Sequence, residues 1–357
     1  MRLIQLVCVC TLHLFLAAAF PALLLPAQAV RKVIIDQDAM GPATTDQQAI
    51  LVVLQAPNVQ TLGITVVTGD QWRDEEVAHT LRMLELTGHT NVPVVPGAIL
   101  PLLNTKEETA RREKLYGRVA YQGAWNWGPQ HDPDVVPPLK EGAPTIKPVN
   151  EDAAHFIVRM VHLYPHQISI LTAGPLTNVA LAIALDPSVP GLAKELVFNG
   201  ASIAPQGIPY AMQEEATREF NLWFDPEAAH IVLRAHWAKI TCTPQDITIK
   251  TQMDQALIAR IAKGTTPAAR YIAKYGVDMP MWDELTFAAW VDPSIITEHR
   301  TYFLDADIDH GASYGNTLMW TPGSNPGMGE QPIDVNLDLD KQKFYDMFVN
   351  LMTSTSP

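Results

Sequence analysis

The sequence alternates between short apolar runs and longer amphipathic segments along most of its length. Six runs have the character of strands, namely KVIID, LGITVVTG, VPVVPG, ISILTAG, ELVFNG and AKITCTP. Between most of them lie segments with helical spacing of apolar residues, such as DQQAILVVLQA, DEEVAHTLRMLELTG, EDAAHFIVRMVHLY and DPEAAHIVLRAH. Apolar strands that alternate with helices are typical of a parallel sheet covered on both faces. The sequence therefore predicts an α/β fold, a single domain with a mostly parallel central sheet flanked by helices.

The first 29 residues have the organisation of a secretory signal. Arg2 precedes the apolar run LVCVCTLHLFLAAAF, and AQA ending at Ala29 has the small residues of a cleavage site. No later run reaches the roughly 18 apolar residues that a membrane helix needs. We therefore predict a signal peptide over residues 1–29, one folded domain over residues 30–357, and a periplasmic or secreted protein without a membrane segment after cleavage. The alternative is an uncleaved N-terminal anchor.

Composition narrows the class of partner and of cofactor. Removing Arg2 with the leader lowers the number of basic side chains from 25 to 24, against 38 acidic ones, so the net charge becomes −14. This excess of acids opposes nonspecific binding to nucleic acid, whereas uncharged nucleosides are not excluded. Cys242 is the single cysteine beyond the leader. Neither an intrachain disulfide nor a cysteine metal cluster is therefore expected.

Three aspartates follow the first predicted strand in the stretch VIIDQDAMGPATTDQQAILVVL. Asp36, Asp38 and Asp46 lie where a strand gives way to a helix, and parallel sheets bind ligands beyond the carboxyl ends of their strands. One such carboxylate could simply accept amide hydrogen bonds from a helix N-terminus. Three together repel one another unless a cation, a proton or amides compensate, and hard oxygen ligands suit calcium or magnesium. The spacing is not that of an EF-hand loop, so distant segments must complete any cation site.

Five segments, taken together, carry a resemblance to one enzyme family. DQD followed by TDQQAILVVL resembles the D-x-D-x-G-x-D-D-x-x-A signature of the inosine-uridine-preferring nucleoside hydrolases. GITVVTGD resembles their second strand, ILTAGPLTNVALAI their glycine-proline-leucine-threonine-asparagine turn, REFNLWFDPEAA their E-x-N-x-x-x-D-P-x-A-A segment, and MWDELTFAAWVDP their C-terminal metal-aspartate segment. The resemblance covers nearly all of the chain beyond the leader. It implies a nucleoside hydrolase-like domain with a Rossmann-like core and a homo-oligomer, since members are commonly dimers or tetramers.

The resemblance also implies a reaction, the calcium-dependent hydrolysis of the N-glycosidic bond of ribonucleosides. A calcium-bound water attacks the anomeric carbon, and the base and ribose are released. Asp38 is expected to bind calcium and to take the proton of the water, because calcium alone lowers the pKa of water only modestly. Asp46, Asp283 and the backbone oxygen of Ala173 are the other expected ligands. Carboxylates beside the sugar also suit the oxocarbenium-like transition state of this chemistry.

Contacts to the substrate follow from the same resemblance. Glu219 and Asn221 are expected to bind ribose, and Asp36 to support the loop beside the cation. Trp282 stands where many members have histidine, and the purine-specific branch has a tryptophan there that stacks on the purine. Asp70, where many members have asparagine, also fits that branch, so we expect a preference for purines. A second stacking residue could be Tyr116, Trp125 or Trp127 of the aromatic segment between Leu103 and Pro148, which we interpret as a cover near the site.

Three departures from the family pattern leave alternatives open. Asp46 follows Asp38 by eight positions in the sequence, where the family usually has an offset of five. Thr45 replaces the family's second aspartate, which normally contacts ribose. The segment NGASIAPQGIPY lacks the asparagine expected for the 5′-hydroxyl. The alternatives are a hydrolase of the same fold that acts on a modified or deoxy nucleoside, and a noncatalytic calcium-dependent binder of nucleosides or sugars.

Overall fold

The computed structural model describes residues 29–119, 121–203 and 218–354. The predicted signal peptide lies outside these ranges except for Ala29, and so does the end of the segment NGASIAPQGIPY, from residue 204 onward. Within the described ranges, no helix combines the length and the apolarity that crossing a membrane requires.

The strands of the described residues form one large sheet and one two-stranded ribbon. Their bounds are β1 Arg31–Gln37, β2 Val59–Val66, β3 Val94–Pro96, β4 Ile168–Thr172, β5 Glu195–Asn199, β6 Ile240–Thr243, β7 Gln252–Met253, β8 Met279–Pro280, β9 Ile296–Ala306, β10 Thr317–Trp320 and β11 Pro332–Leu339. The large sheet has the order β10-β9-β11-β6-β5-β4-β1-β2-β3, and β7 pairs with β8. Every pairing from β3 across to β11 is parallel, whereas β9 is antiparallel to both of its neighbours.

Helices connect most of these strands. Their bounds are α1 Thr45–Gln55, α2 Arg73–Thr87, α3 Lys106–Tyr116, α4 Ala153–Leu163, α5 Thr177–Leu185, α6 Val189–Leu192, α7 Phe220–Phe224, α8 Pro226–Arg234, α9 Gln245–Thr248, α10 Gln255–Ile261, α11 Pro267–Tyr275, α12 Trp282–Val291 and α13 Lys341–Thr353. The six predicted strands correspond to β1 to β6, and the four predicted helices to α1, α2, α4 and α8. The predicted fold class, a mostly parallel sheet flanked by helices, is confirmed.

Strand β1 lies in the interior of the sheet and separates two apolar cores. Val33 and Ile35 pack into a core with residues of α1, α12 and α13, whereas Ile34 packs into a second core with residues of α4, α5 and α8. Burial of each such side chain contributes about 1.5–3 kcal/mol relative to exposure. The apolar residues on both faces fix β1 between β2 and β4, so the residues that follow it are held at a fixed place beyond the sheet.

The strand order reverses direction at β1. The chain proceeds from β1 to β2 and β3 on one side, and then returns to β4, β5 and β6 on the other side. In open parallel sheets a crevice forms at such a reversal, beyond the carboxyl ends of the two strands. The end of β1, beside the end of β4, is therefore the place where the fold itself provides a binding site.

Candidate active site

Three aspartates from separate elements meet at the carboxyl end of β1. Asp38 follows β1, Asp46 lies in the first turn of α1, and Asp70 follows β2. One carboxylate oxygen from each lies within 4.8 Å of the others. Asp38 and Asp46 are buried, and Asp70 is half-buried. The backbone N–H of Asp70 donates to Oδ2 of Asp38 at 3.2 Å, which holds the ends of β1 and β2 together.

Burial and mutual repulsion disfavour the charged forms of these carboxyls. Burial raises the pKa of Asp38 well above its usual value, and the charges of Asp70 and Asp46 raise it further. Burial and then the charge of Asp283 do the same to the pKa of Asp46. Burial raises the pKa of Asp70 to about 6. Buried like charges at such distances are stable near neutral pH only when positive charge or protons balance them.

Asp70, which was predicted to contact substrate, is thus one of the three clustered acids, whereas Asp283, the third predicted carboxylate ligand, lies beside them in the first turn of α12. The side-chain amide of Gln37 donates to Oδ2 of Asp283 at 2.7 Å and to Oδ1 of Asp46 at 3.2 Å. Gln37 is the residue between the first two aspartates of the sequence, and its role was not predicted. Its amide joins α1 to α12 at the site, and its own carbonyl oxygen is buried and has no hydrogen-bond partner among the described residues.

Ala173 and Asp36 lie on the β4 side of the cluster. Ala173 directly follows β4, and its N–H donates to the backbone oxygen of Asp36 at 3.1 Å. An added Cβ at the next residue, Gly174, would lie 2.7 Å from Oδ1 of Asp38, so this turn contacts Asp38 closely. The carboxylate of Asp36 accepts the side-chain amide of Asn178 at 2.8 Å, and burial raises its pKa to about 6. Asp36 thus supports the strand end.

Thr45 directs its hydroxyl group toward helix α12. Its Oγ1 accepts the backbone N–H of Asp283 at 3.1 Å and donates to Oε2 of Glu284 at 2.5 Å. Both partners are buried, and burial raises the pKa of Glu284 to about 8. The hydroxyl group therefore joins the beginnings of α1 and α12, and it offers no carboxylate to a ligand.

Glu219 is held rigidly beside the acidic cluster. As the N-cap of α7, its carboxylate accepts the backbone N–H groups of Asn221 at 3.0 Å and of Leu222 and Ala201 at 3.1 Å each. Burial raises the pKa of Glu219 to about 7, and the nearby charge of Asp70 adds to the rise. Glu219 and Asn221, the two residues predicted to bind ribose, therefore lie on the same side of the site.

Asn199, at the end of β5, links the predicted ribose-binding side to the predicted base-binding side. Its backbone oxygen accepts the amide of Asn221 at 3.3 Å, and its side-chain amide donates to the backbone oxygen of Trp282 at 3.0 Å. Trp282 is half-buried at the first position of α12, next to Asp283. The predicted site residues, which are far apart in the sequence, therefore lie around one crevice.

Tyr121 is an aromatic residue of the site that was not predicted. Its hydroxyl group hydrogen-bonds the carboxylate of Asp70, which lowers the pKa of that carboxyl against the larger effect of burial. Its ring contacts Phe220 edge to face at a centroid distance of 5.0 Å and Trp127 at 5.6 Å. Tyr121 therefore connects the acidic cluster to the aromatic segment, part of which lies at the site as expected for a cover.

The three candidates for a second stacking residue differ in exposure. Trp125 is only 2% exposed and packs against Trp223 and Phe224, so protein side chains already surround its ring. Tyr116 is 48% exposed and Trp127 is 57% exposed. Trp125 is therefore a core residue and not an accessible platform for a base, whereas Trp127 is accessible and contacts Tyr121.

The donor set of the cluster fits a hard divalent cation. Calcium binds oxygen ligands at about 2.3–2.6 Å, so two ligands on opposite sides of one ion lie roughly 5 Å apart. The 4.8 Å limit that includes oxygens of Asp38, Asp46 and Asp70 is compatible with this spacing. The buried and unpartnered oxygen of Gln37 beside Asp46 is a further acceptor at the same place. These residues, with Asp283 and the backbone oxygen of Ala173, could hold such an ion.

The fold and this cluster together define an α/β protein with a group of buried carboxylates at the strand-order reversal of a mostly parallel sheet. The family model described as inosine-uridine preferring nucleoside hydrolase matches residues 33–346. The chain therefore belongs to the inosine-uridine preferring nucleoside hydrolase family. Membership confirms both the resemblance noted in the sequence and the predicted enzyme class, an N-glycosidic hydrolase.

Individual relatives agree with this assignment over most of their length. The inosine-uridine preferring nucleoside hydrolase of Leishmania major is 26% identical over 326 residues, which is 87% of this chain and 94% of that protein. Uridine nucleosidase 1 of Arabidopsis thaliana is 29% identical over 330 residues, covering 87% of this chain and 89% of the relative. A solved structure, a purine-preferring ribonucleoside hydrolase from Gardnerella vaginalis, has a TM-score of 0.70 at 22% identity and covers 90% of this chain and 98% of its own. That similarity shows the fold.

Proposed function

We propose that this protein hydrolyses the N-glycosidic bond of ribonucleosides with calcium as cofactor, and that it prefers purines. The observation that carries the proposal is the convergence of oxygens from Asp38, Asp46 and Asp70 within 4.8 Å. Trp282 lies next to Asp283, at the edge of this cluster. The relatives are described as acting on inosine and uridine, on uridine, or on purine ribonucleosides. These names support a small nucleoside as the substrate, and the acidic charge of the chain opposes nucleic acid.

The residues divide the reaction between water, sugar and base. Calcium at the cluster would supply a binding place for water and a modest fall in its pKa. The C–N bond breaks as its electron pair leaves with the base, and the oxygen of a water molecule bonds to the anomeric carbon. Asp38 accepts the proton that this water loses, and the departing base takes a proton from solvent. The remaining carboxylates stabilise the positive charge that develops on the ribose.

Release of the base is the measurement that tests the proposal. The substrates are inosine, adenosine, guanosine, uridine and 2′-deoxyinosine, each followed by chromatography with calcium and after chelation. We expect rapid release of the base from the purine ribonucleosides. Chelation should lower the rate of release by at least about 100-fold, since base catalysis alone is typically worth about 10²–10⁴-fold. The rate should recover when calcium is restored. Faster release of uracil would contradict the purine preference. A folded protein that binds calcium but releases no base would instead be a binder.

Replacing Trp282 with alanine tests the contact with the base. Stacking of a base on an aromatic ring is worth about 1–3 kcal/mol, so kcat/KM for inosine should fall about 5- to 150-fold. A riboside with an activated phenolic leaving group should lose less, because its departure needs neither a purine platform nor a proton. The control is Trp320→Ala, at another half-buried tryptophan on the edge strand β10. It should leave kcat/KM unchanged for both substrates. Equal losses on both substrates would exclude a stacking role.

The orientation of Thr45 favours a second candidate, a hydrolase that accepts nucleosides lacking the 2′-hydroxyl. Its hydroxyl group is already engaged by Asp283 and Glu284, and it carries no negative charge. A site that binds a substrate hydroxyl group rejects the analogue lacking it by a large factor, because a buried polar group is left unpaired. Because Thr45 replaces the aspartate that normally contacts ribose, we expect a smaller loss of kcat/KM on a nucleoside that lacks the 2′-hydroxyl. Similar kcat/KM values for inosine and 2′-deoxyinosine would favour this candidate.

The cellular location is a separate proposal that rests on the sequence. Arg2, the apolar run that follows it and the AQA segment ending at Ala29 support export and removal of the leader. We therefore propose that the enzyme acts on nucleosides in the periplasm or outside the cell.

A further inference from the structure

Glu76 is a buried carboxylate that the proposed reaction does not use. It lies in the N-terminal half of α2 and has no exposed surface. Its Oε1 accepts the backbone N–H of Gln71 at 2.7 Å. Its Oε2 is buried and has no hydrogen-bond partner among the described residues. A buried polar atom without a partner is unfavourable, so a water molecule or an ion is expected at this oxygen.

The position of Glu76 places its carboxylate beside the acidic cluster. The N–H of Gln71 donates to Glu76, and the N–H of the preceding residue, Asp70, donates to Oδ2 of Asp38. Two consecutive amides of the chain, those of Asp70 and Gln71, therefore each bind one of the two carboxylates. Burial raises the pKa of Glu76, and the charges of Asp70 and Asp46 raise it further. Burial likewise raises the pKa of Asp38, and the charge of Glu76 is among those that raise it further.

A structural role for Glu76 accounts for only one of its oxygens. The hydrogen bond from Gln71 resembles the return contact of a capping box, in which a side chain near the start of a helix accepts an N–H group just before it. A glutamine would serve equally well, since its carbonyl oxygen can accept the same bond. The second oxygen, the charge and the burial remain unexplained by such a cap.

The coordination requirement of calcium leaves room for this oxygen. Calcium takes about six to eight oxygen ligands. Asp38, Asp46, Asp70, Asp283, the backbone oxygen of Ala173 and the unpartnered oxygen of Gln37 would provide six ligands if each gave one. An eight-coordinate shell therefore leaves two positions, which water and one more protein oxygen can fill.

We propose that Glu76 is an additional carboxylate of the cation site and that its free Oε2 binds the ion or a water molecule on the ion. The inference deepens the proposed function and rests on its calcium ion. Glu76 is a positioning residue for the cation, and it does not contact the substrate.

Calcium binding to the metal-free protein tests this role without using activity. Calcium chloride is titrated by calorimetry into chelator-treated wild type and into Glu76→Gln, which keeps the helix cap but removes the charge and turns an amide toward the ion. We expect calcium to bind about 10- to 100-fold more weakly, the usual effect of removing a residue that supports a metal ligand. The Tm of the metal-free variant should not fall, because a buried charge is removed.

Glu75→Gln is the matched control, since it makes the same change at the adjacent position. Both oxygens of Glu75 already have partners, in Gln71 and His131, so its replacement should change calcium affinity less than about threefold, the effect of one more distant charge. If Glu76→Gln does not fold, Glu76→Asp keeps the charge on a shorter side chain, and we expect weaker calcium binding from it as well.

The outcomes separate this inference from the proposed function. Wild-type calcium affinity in Glu76→Gln, or in Glu76→Asp when that variant replaces it, overturns the role of Glu76 and leaves the calcium enzyme intact. Weaker binding in Glu75→Gln equal to that in Glu76→Gln also overturns it, because the effect would then be one of net charge. A folded wild type that binds no calcium overturns both.

Discussion

Replacing Asp38 with asparagine is expected to reduce kcat for inosine by at least about 100-fold. Asparagine keeps nearly the same shape and one oxygen but cannot accept the proton of the attacking water. General-base assistance is typically worth about 10²–10⁴-fold. Asp38 is also the residue that the other acids surround, with its Oδ2 bound by the N–H of Asp70 and its backbone against Gly174. The measurement is steady-state release of hypoxanthine at saturating substrate and calcium.

The control for this prediction is the folded state of the variant. Asparagine removes one of several carboxylates that repel one another at the site, so the Tm of the metal-free variant should not fall. Asp74→Asn, the same change at a half-buried carboxylate that is paired with Arg73, should keep wild-type kcat. Turnover by Asp38→Asn at the wild-type rate would show that another group takes the proton.

Adding one methyl group at Gly69 is expected to lower kcat/KM by about 100-fold, although Gly69 carries no functional group. An added Cβ would lie 2.0 Å from Oδ2 and 2.7 Å from Cγ of Asp38. Carbon atoms do not approach oxygen so closely, so the carboxylate would have to move away from its place in the cluster. A displacement of roughly 1 Å at a reacting group can cost about 10²-fold in rate.

Gly191→Ala is the matched control for the glycine variant. Gly191 lies in α6, and an added Cβ there meets nothing within 4 Å among the described residues. Its replacement should leave kcat/KM unchanged. Calcium affinity should fall together with activity in Gly69→Ala, because the same carboxylate serves both. Normal calcium affinity and normal turnover in a folded Gly69→Ala would show that Asp38 is not held as the structure places it.

Six of the seven mutually parallel strands, β1 to β6, were predictable because they are nearly continuous apolar runs. Strands β1 to β6 are buried on both faces, and such runs stand out in the sequence. Strand β9 was not predicted, because its first six residues, ITEHRT, do not form an apolar run. Five consecutive residues of this part, Thr297 to Thr301, are exposed. Its place depends on pairing with β10 and β11, which follow it in the chain, and not on its own pattern.

The candidate site was predictable where family motifs exist and not where partners are supplied by distant segments. No motif singles out Gln37 between its two aspartates, because its role depends on the position of Asp283, 246 residues later. Trp125 appeared suitable as a stacking platform, yet residues from α7 bury its ring. Tyr121 and Glu76 lie in segments without a motif, so only the folded chain shows that they face the carboxylates.

The bond from Gln37 to Asp283 has a consequence for the synthesis of the protein. A ribosome makes the chain from its N-terminus, and Asp38, Asp46 and Asp70 are present long before α12 emerges. Until then, the acids at the end of β1 lack both Asp283 and the Gln37 bridge that joins α1 to α12. A truncated product ending before α12 would retain β1 to β8 but would lack Asp283, the bridge from Gln37 and strands β9 to β11, so its group of carboxylates would stay incomplete.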